Sequence, residues 1–222
     1  MTKLTQINGH EIELHITTEH SKWHFETPQN YTKEILEEWK EQPFKDFISK
    51  EDKIMLDIGA NVGLFALHVM PFVDRIVCVE PTESHNQVFN DLLEGNKKVT
   101  LESSALHSYT GTVGYHIEPV NYTMNRVNVS GLGIEVPCIT LYDLCKKHNL
   151  TKVDFCKIDI EGSEDLAITV ETVRPVNQII DKFSIELHPR SLEMQDKYAA
   201  IFEEAGYKVQ RVDFNCSIFA FK

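Results

Sequence analysis

The stretch Ile54-Met-Leu-Asp-Ile-Gly-Ala-Asn-Val-Gly63 constrains this chain more than any other. A short apolar run with no polar alternation is a strand covered on both faces, and such strands belong to parallel sheets flanked by helices. Here the run Ile54 to Ile58 enters a glycine turn, and a helical stretch follows to about Met70. The motif recurs along the chain. Arg75 to Val79 precedes a helical stretch from Pro81 to Leu93, and Val99 to Ser104 forms a third strand. Val153 to Ile158 precedes a helix over Glu164 to Val173, and a fifth strand within Gln178 to Leu187 precedes a helix over Leu192 to Ala205. Tyr207 to Asp213 and Ser217 to Phe221 read as a closing antiparallel pair. The order predicts an α/β domain, a mostly parallel sheet with helices on both faces.

Additions to that alternation are legible. Gly111 to Ile117 and Ile134 to Ile139 read as extra strands around a polar loop, Glu118 to Gly133. Thr140 opens a helix to Lys147, with Asp143 in the reciprocal capping position. At the N-terminus, Leu4 to Ile7 and Glu11 to Ile16 alternate around Asn8-Gly9, a hairpin signature, and Tyr31 to Ile48 carries helical material broken near Pro43. The organisation expected is an extension over residues 1–50 packing on a main domain over 51–222. A chain of 222 residues suffices for one α/β domain with a core and not for two.

The totals narrow the function. With 34 acidic against 22 basic residues the net charge is −12, which repels phosphate backbones and disfavours nucleic acid as substrate. No apolar run has the length of a membrane span, and the polar first twenty residues lack a secretory core. The five cysteines are scattered, without a Cys-x-x-Cys pair, which argues against a disulfide framework and structural zinc. A cytoplasmic protein with no membrane partner is the expectation.

Acids close the strands. Asp57 stands two residues before Gly59, and the turn spacing is Gly-x-x-x-Gly, with Asn61 where a dinucleotide fingerprint has the glycine that admits a pyrophosphate. A carboxylate there suits a cationic ligand, and S-adenosylmethionine carries an ammonium and a sulfonium. Glu80, ending the second strand, is placed to accept from ribose hydroxyls. The third strand leads into Ser103-Ser104-Ala105-Leu106, placed to touch adenine. The fourth delivers Asp159, facing the ligand crevice, with Glu161 nearby and Glu164 as a helix-start acid. The fifth delivers Glu186 and His188, two apart, so that both face one side if the strand conformation persists. His188 suits a general base oriented by Glu186, with Asp159 steering the acceptor. Asp159, Glu161, Glu186 and His188 also offer ligands for a divalent metal, ranked below metal-free base catalysis.

Asp57-Ile-Gly-Ala-Asn-Val-Gly63, Glu80-Pro81, Ala105-Leu106, Thr140-Leu-Tyr-Asp-Leu144, Val153-Asp-Phe-Cys-Lys-Ile-Asp-Ile-Glu-Gly162 and Glu186-Leu-His188 together resemble the FkbM-type methyltransferases, a branch of the class I S-adenosylmethionine-dependent enzymes. The resemblance spans about residues 50 to 190. It implies a Rossmann-like fold, a mostly parallel seven-stranded sheet ending in an antiparallel hairpin. It implies O-methylation of hydroxyls on sugars, polyketides or related small molecules, with Asp57, Gly59, Asn61, Gly63, Glu80 and Asp159 lining the donor site. The N-terminal hairpin and the polar insert match nothing in the family pattern and are where acceptor choice is expected to lie. Two other readings compete: an NAD(P)-dependent oxidoreductase, and a catalytically silent S-adenosylmethionine-binding protein.

Overall fold

The computed structural model describes residues 2–7, 10–15, 44–93, 95–117, 125–128, 133–213 and 216–222. In chain order, β1 (Thr2–Ile7) and β2 (His10–His15) pair antiparallel as the expected hairpin, with Ile7 opposite His10. Of the helical material expected before the main domain, α1 (Phe44–Phe47) is described; the rest of Tyr31 to Ile48, up to residue 43, lies outside the described residues. Then come β3 (Ile54–Ile58), α2 (Leu64–Val69), β4 (Arg75–Val79), α3 (Glu83–Leu93) and β5 (Val99–Glu102). Four short strands follow, β6 (Ala105–Leu106), β7 (Gly111–His116), β8 (Arg126–Val127) and β9 (Ile134–Ile139). After α4 (Leu141–Lys147) the chain forms β10 (Phe155–Ile158), α5 (Glu164–Ala167) and α6 (Val170–Val173). It closes with β11 (Lys182–Ile185), α7 (Leu192–Glu204), β12 (Lys208–Val212) and β13 (Ser217–Phe221).

Seven strands make the main sheet in the order β12-β13-β11-β10-β3-β4-β5, all parallel except β13, which runs antiparallel to both neighbours. The chain starts the sheet at its centre with β3, adds β4 and β5 on one side, then crosses to β10 on the other. That reversal between β3 and β10 is the place where open α/β sheets bind ligands, at the carboxyl ends of the strands. Alternation along each strand sorts the core. Leu56, Ile58, Val77, Val79, Cys156, Ile158, Phe183 and Ile185 pack into one apolar layer, and Met55, Ile76, Cys78, Phe155 and Phe219 into the other. Asp57 and Lys157 are register partners whose side chains take the same face as Met55 and Phe155, so the second layer carries a buried charge pair beneath the crevice.

Four sequence expectations change. The third strand ends at Glu102, and Ala105-Leu106 belongs instead to a second sheet, of order β6-β9-β7-β8, to which the two expected insert strands also belong. β8 falls inside the segment read as polar loop, and its two residues are too few to produce a periodic signal. The helix expected over Glu164 to Val173 is two helices. Ile168 is extended (φ −108°, ψ 103°), and Thr169 starts α6 with a capping box to Thr172. The reciprocal box at Thr140 is indirect. Thr140 Oγ1 accepts from the Asp143 amide at 3.0 Å, but the Thr140 amide donates to Thr110 Oγ1, which donates on to the Asp143 carboxylate.

The small sheet is tied across the carboxyl ends of the main one. Thr82 Oγ1, beyond β4, lies 3.2 Å from the Tyr115 hydroxyl and accepts from Asn125 Nδ2 at 3.3 Å. Ser163 Oγ, beyond β10, accepts the Val127 amide at 2.9 Å. Those anchors stand on either side of the crevice, so β7 and β8 form one of its walls. The open groove of about 520 Å³ among the described residues lies elsewhere, at the amino ends of the strands beside Asp52, Asp154 and Lys182. Its charged groups are already paired, Lys182 with Asp52 at 2.6 Å and Asp154 with Lys152, and it is at the wrong end of the sheet for the crevice rule.

Candidate active site

The glycine turn leaves β3 as a left-handed path, with φ of 79° at Gly59, 50° at Asn61 and 92° at Gly63. A Cβ on Gly59 would stand 1.7 Å from the Asp159 carbonyl oxygen, and one on Gly63 would stand 2.8 Å from the Phe89 ring. Protein fills the room that both glycines leave, so each is required by chain packing before any ligand is considered. Asn61 tolerates its φ because its side-chain oxygen accepts the Val62 amide at 2.7 Å.

Glu80 binds this turn to the loop after β4. One carboxylate oxygen accepts the Asn61 amide at 3.0 Å, the other accepts the Thr82 amide at 2.9 Å, and His85 Nδ1 lies 3.4 Å away. Burial works against its charge, yet the donors from His85 and Thr82 hold its pKa below the usual glutamate range. Ser104 is buried, with its hydroxyl donating to Glu102 at 3.3 Å. The Ala105 side chain lies in the apolar cluster of the small sheet with Tyr115, Val127 and Cys138. Any contact of Ala105 with a ligand therefore falls to its backbone.

Asp57 is fully buried, and neither carboxylate oxygen has a hydrogen-bond partner among the described residues. Burial raises its pKa to about 6 against the pull of Lys157, whose ammonium stands 3.7 Å from Asp57 and 3.2 Å from Asp159. Sequence reading passed over Lys157. Its signal is a lone lysine inside the apolar run Phe155-Cys-Lys-Ile158, in register with the only acid of β3.

The second half of the site gathers at the ends of β10 and β11. Asp159, Glu161 and His188 each place a ligand atom within 4.8 Å of the others. His188 Nδ1 lies 3.1 Å from Glu164 Oε1, while Nε2 is 3.6 Å from Glu161 and 3.8 Å from Glu186. Glu186 shares the cluster with His188, as expected from their spacing, but is bound to Arg190 at 2.6 Å. The residue that holds the imidazole is Glu164, wholly buried at the first position of α5. From sequence it carried only a helix-start role, which it also fills by accepting the Gly162 amide at 3.3 Å. Capping acid and histidine partner have the same local pattern, and only the fold separates them.

Crowding of carboxylates shapes the acidities. Burial, then Asp159, pushes Glu161 up to about 8, and the same two causes push Glu186 up to about 7. Burial opposes charge on His188, but the Glu164 hydrogen bond and the charges of Glu161 and Asp159 prevail and raise it to about 9. Glu161 holds a left-handed backbone (φ 52°), and Gly162 follows at 94°. Functional sites tend to keep such strain in place.

A central Asp57–Asp159 pair at the switch point, a glycine turn, a terminal acid on β4 and a seven-stranded sheet with one reversed strand define a Rossmann-like class I methyltransferase fold. The methyltransferase FkbM domain model matches residues 57–209, and the chain belongs to that methyltransferase family. Among solved structures, a methyltransferase FkbM from Methylobacillus flagellatus KT superposes with a TM-score of 0.55 at 18% identity, over 79% of this chain and 44% of that one. The chain thus spans less than half the length of that protein, and the likeness is one of fold. Looser likenesses include fibrillarin of Aeropyrum pernix, solved with natively bound S-adenosyl-L-methionine, at 13% identity over 99% of this chain and 82% of that one (TM-score 0.49). A precorrin-6y C5,15-methyltransferase from Geobacter metallireducens GS-15 matches at 15% identity over 81% and 85% (TM-score 0.47). No match was found among curated protein sequences.

Proposed function

We propose that the chain binds S-adenosylmethionine and transfers its methyl group to a hydroxyl of a small molecule such as a sugar or polyketide. One observation carries the donor assignment: Asp57, fully buried at the switch point, keeps both oxygens without a hydrogen-bond partner among the described residues. A buried carboxylate left that way costs free energy, and a cationic ligand relieves it. Asp57 and Asp159 suit the donor's positive groups, and Glu80 and the backbone of residues 59–63 suit its nucleoside part. Ser104 and the Ala105 backbone stand on the side assigned to adenine. The donor, when bound, supplies an electrophilic methyl on a sulfonium.

The protein's part is to hold the acceptor in line and to polarise its oxygen. The groups in reach are Asp159, Glu186 and His188, the last held by Glu164 through Nδ1 with Nε2 turned to the cluster. The N-terminal extension, residues 1–50, and the strands of the small sheet beyond β6 carry none of the residues assigned to the donor, and we assign acceptor choice to them. The net charge of −12 supports a small molecule over nucleic acid as the acceptor. Among the described residues, no helix is long and apolar enough to cross a membrane. Membership of a methyltransferase family, with Asn61 at the position where a pyrophosphate needs glycine, disfavours a nicotinamide cofactor.

The test is release of S-adenosylhomocysteine in the presence of a panel of hydroxylated sugars and polyketides. Turnover on a hydroxyl acceptor is expected, with His188→Ala lowering kcat at least about a hundredfold and leaving donor affinity nearly intact. Donor binding with no turnover across the panel would favour the silent binding protein, and undiminished turnover in His188→Ala would remove His188 from the chemistry.

A further inference from the structure

Asp159, Glu161 and His188 present two carboxylates and an imidazole to one point, from the end of β10 and the segment after β11. Three features set this apart from an acidic patch. The imidazole is held: Nδ1 meets Glu164, whose side chain has no exposed surface, so Nε2 is the nitrogen that faces Glu161 and Glu186. A buried carboxylate behind a histidine is the arrangement that fixes a metal-binding imidazole. Next, Nε2 makes no hydrogen bond among the described residues, since its neighbours at 3.6 and 3.8 Å are beyond hydrogen-bond range. Finally, two buried carboxylate oxygens at the cluster, Asp159 Oδ1 and Glu164 Oε2, have no hydrogen-bond partner among the described residues. Ligands about 2.1 Å from an ion stand at most about 4.2 Å apart, so a set already within 4.8 Å closes by small side-chain rotations.

We propose that Asp159, Glu161 and His188 bind a divalent cation of the manganese kind, with Glu164 fixing the imidazole and Glu186 in reach as a further donor. Mixed carboxylate and imidazole ligands suit Mn²⁺ better than thiolate-seeking ions. Two nearby cations are engaged, Lys157 with Asp57 and Asp159, and Arg190 with Glu186. The remaining positions on the ion are open to water and to the acceptor oxygen. Its effect is to make a coordinated hydroxyl acidic. The proton passes to bulk water, and the new O–CH₃ bond forms as the donor's S–CH₃ bond breaks. His188 then serves as ligand rather than base. That chemistry rests on the methyl-transfer reading; the binding of the ion does not.

The test uses the full chain freed of metal by chelator and titrated with Mn²⁺ alone, followed by the loss of the free-ion electron paramagnetic resonance signal. One saturable site per chain is expected, and pulsed spectra of the bound ion should show coupling to one imidazole nitrogen. His188→Ala, Glu161→Gln and Glu164→Gln should each weaken binding roughly tenfold or more. S-adenosylhomocysteine affinity is measured on the same samples. No saturable Mn²⁺ binding up to about 1 mM, the weak end for hard-cation sites, overturns the proposal. If product affinity is retained in that case, the methyltransferase reading stands without the ion. A bound ion with no nitrogen coupling also overturns it, and that readout needs no variant to fold.

Discussion

Gly59 and Asp57, two residues apart, answer to opposite demands. Gly59 serves the fold: its φ is 79°, and a Cβ would collide with the Asp159 carbonyl at 1.7 Å. Gly59→Ala should therefore cost about 3 kcal/mol or more in denaturant unfolding, since strain and overlap add; a loss under about 1 kcal/mol would show that the turn relaxes. Asp57 works against the fold. Its pKa is about 6 in the folded chain against an ordinary 3.8. Below both values the side chain is protonated in either state and has no effect. As pH rises between them the unfolded chain ionises first, so folding is weakened, by up to about 3 kcal/mol above pH 6. Asp57→Asn should then match the parent near pH 3.5 and be more stable at pH 8. A less stable variant at pH 8 would mean that Lys157 stabilises the charge more than burial penalises it. These acids were legible in sequence because each ends an apolar run where α/β sheets bind ligands. Lys157 and Glu164 were not, because a lysine amid apolar residues and an acid at a helix start acquire partners only when distant strands align.

Element by element, the long apolar runs gave the strands of the main sheet, and the short pieces escaped. β6 and β8 have two residues each, below any period, and the break between α5 and α6 rests on two extended residues, Ile168 and Thr169. The strand reversal shows the same limit. Sequence indicates a closing antiparallel pair, but only the structure inserts β13 between β11 and β12. Gln195 of α7 secures that insertion. Its buried side-chain amide donates to the Val212 carbonyl at 2.7 Å and the Ser217 carbonyl at 2.9 Å, on the two strand ends. Gln195→Leu should cost about 2–3 kcal/mol, because two carbonyls lose their donor. The loss should appear as early amide exchange in β12 and β13, and protection equal to the parent would refute it.

Taken whole, the molecule places a net negative protein around a crevice lined by Asp57, Asp159, Glu161 and Glu186, which favours a cationic ligand and predicts weaker binding as salt rises. The fold class follows from strand order, and the proposed donor site from strand-end acids. The proposed assignment of acceptor choice to the extension and the small sheet has less sequence support, since the extension lies outside the matched residues 57–209 and two strands of the small sheet have two residues each. Calorimetric titration with S-adenosylmethionine and S-adenosylhomocysteine tests the central claim most directly. The expected result is one site per chain for both compounds, lost in Asp57→Asn while that variant remains folded. Absence of heat and of competition for both, in protein shown to be folded, would contradict the account.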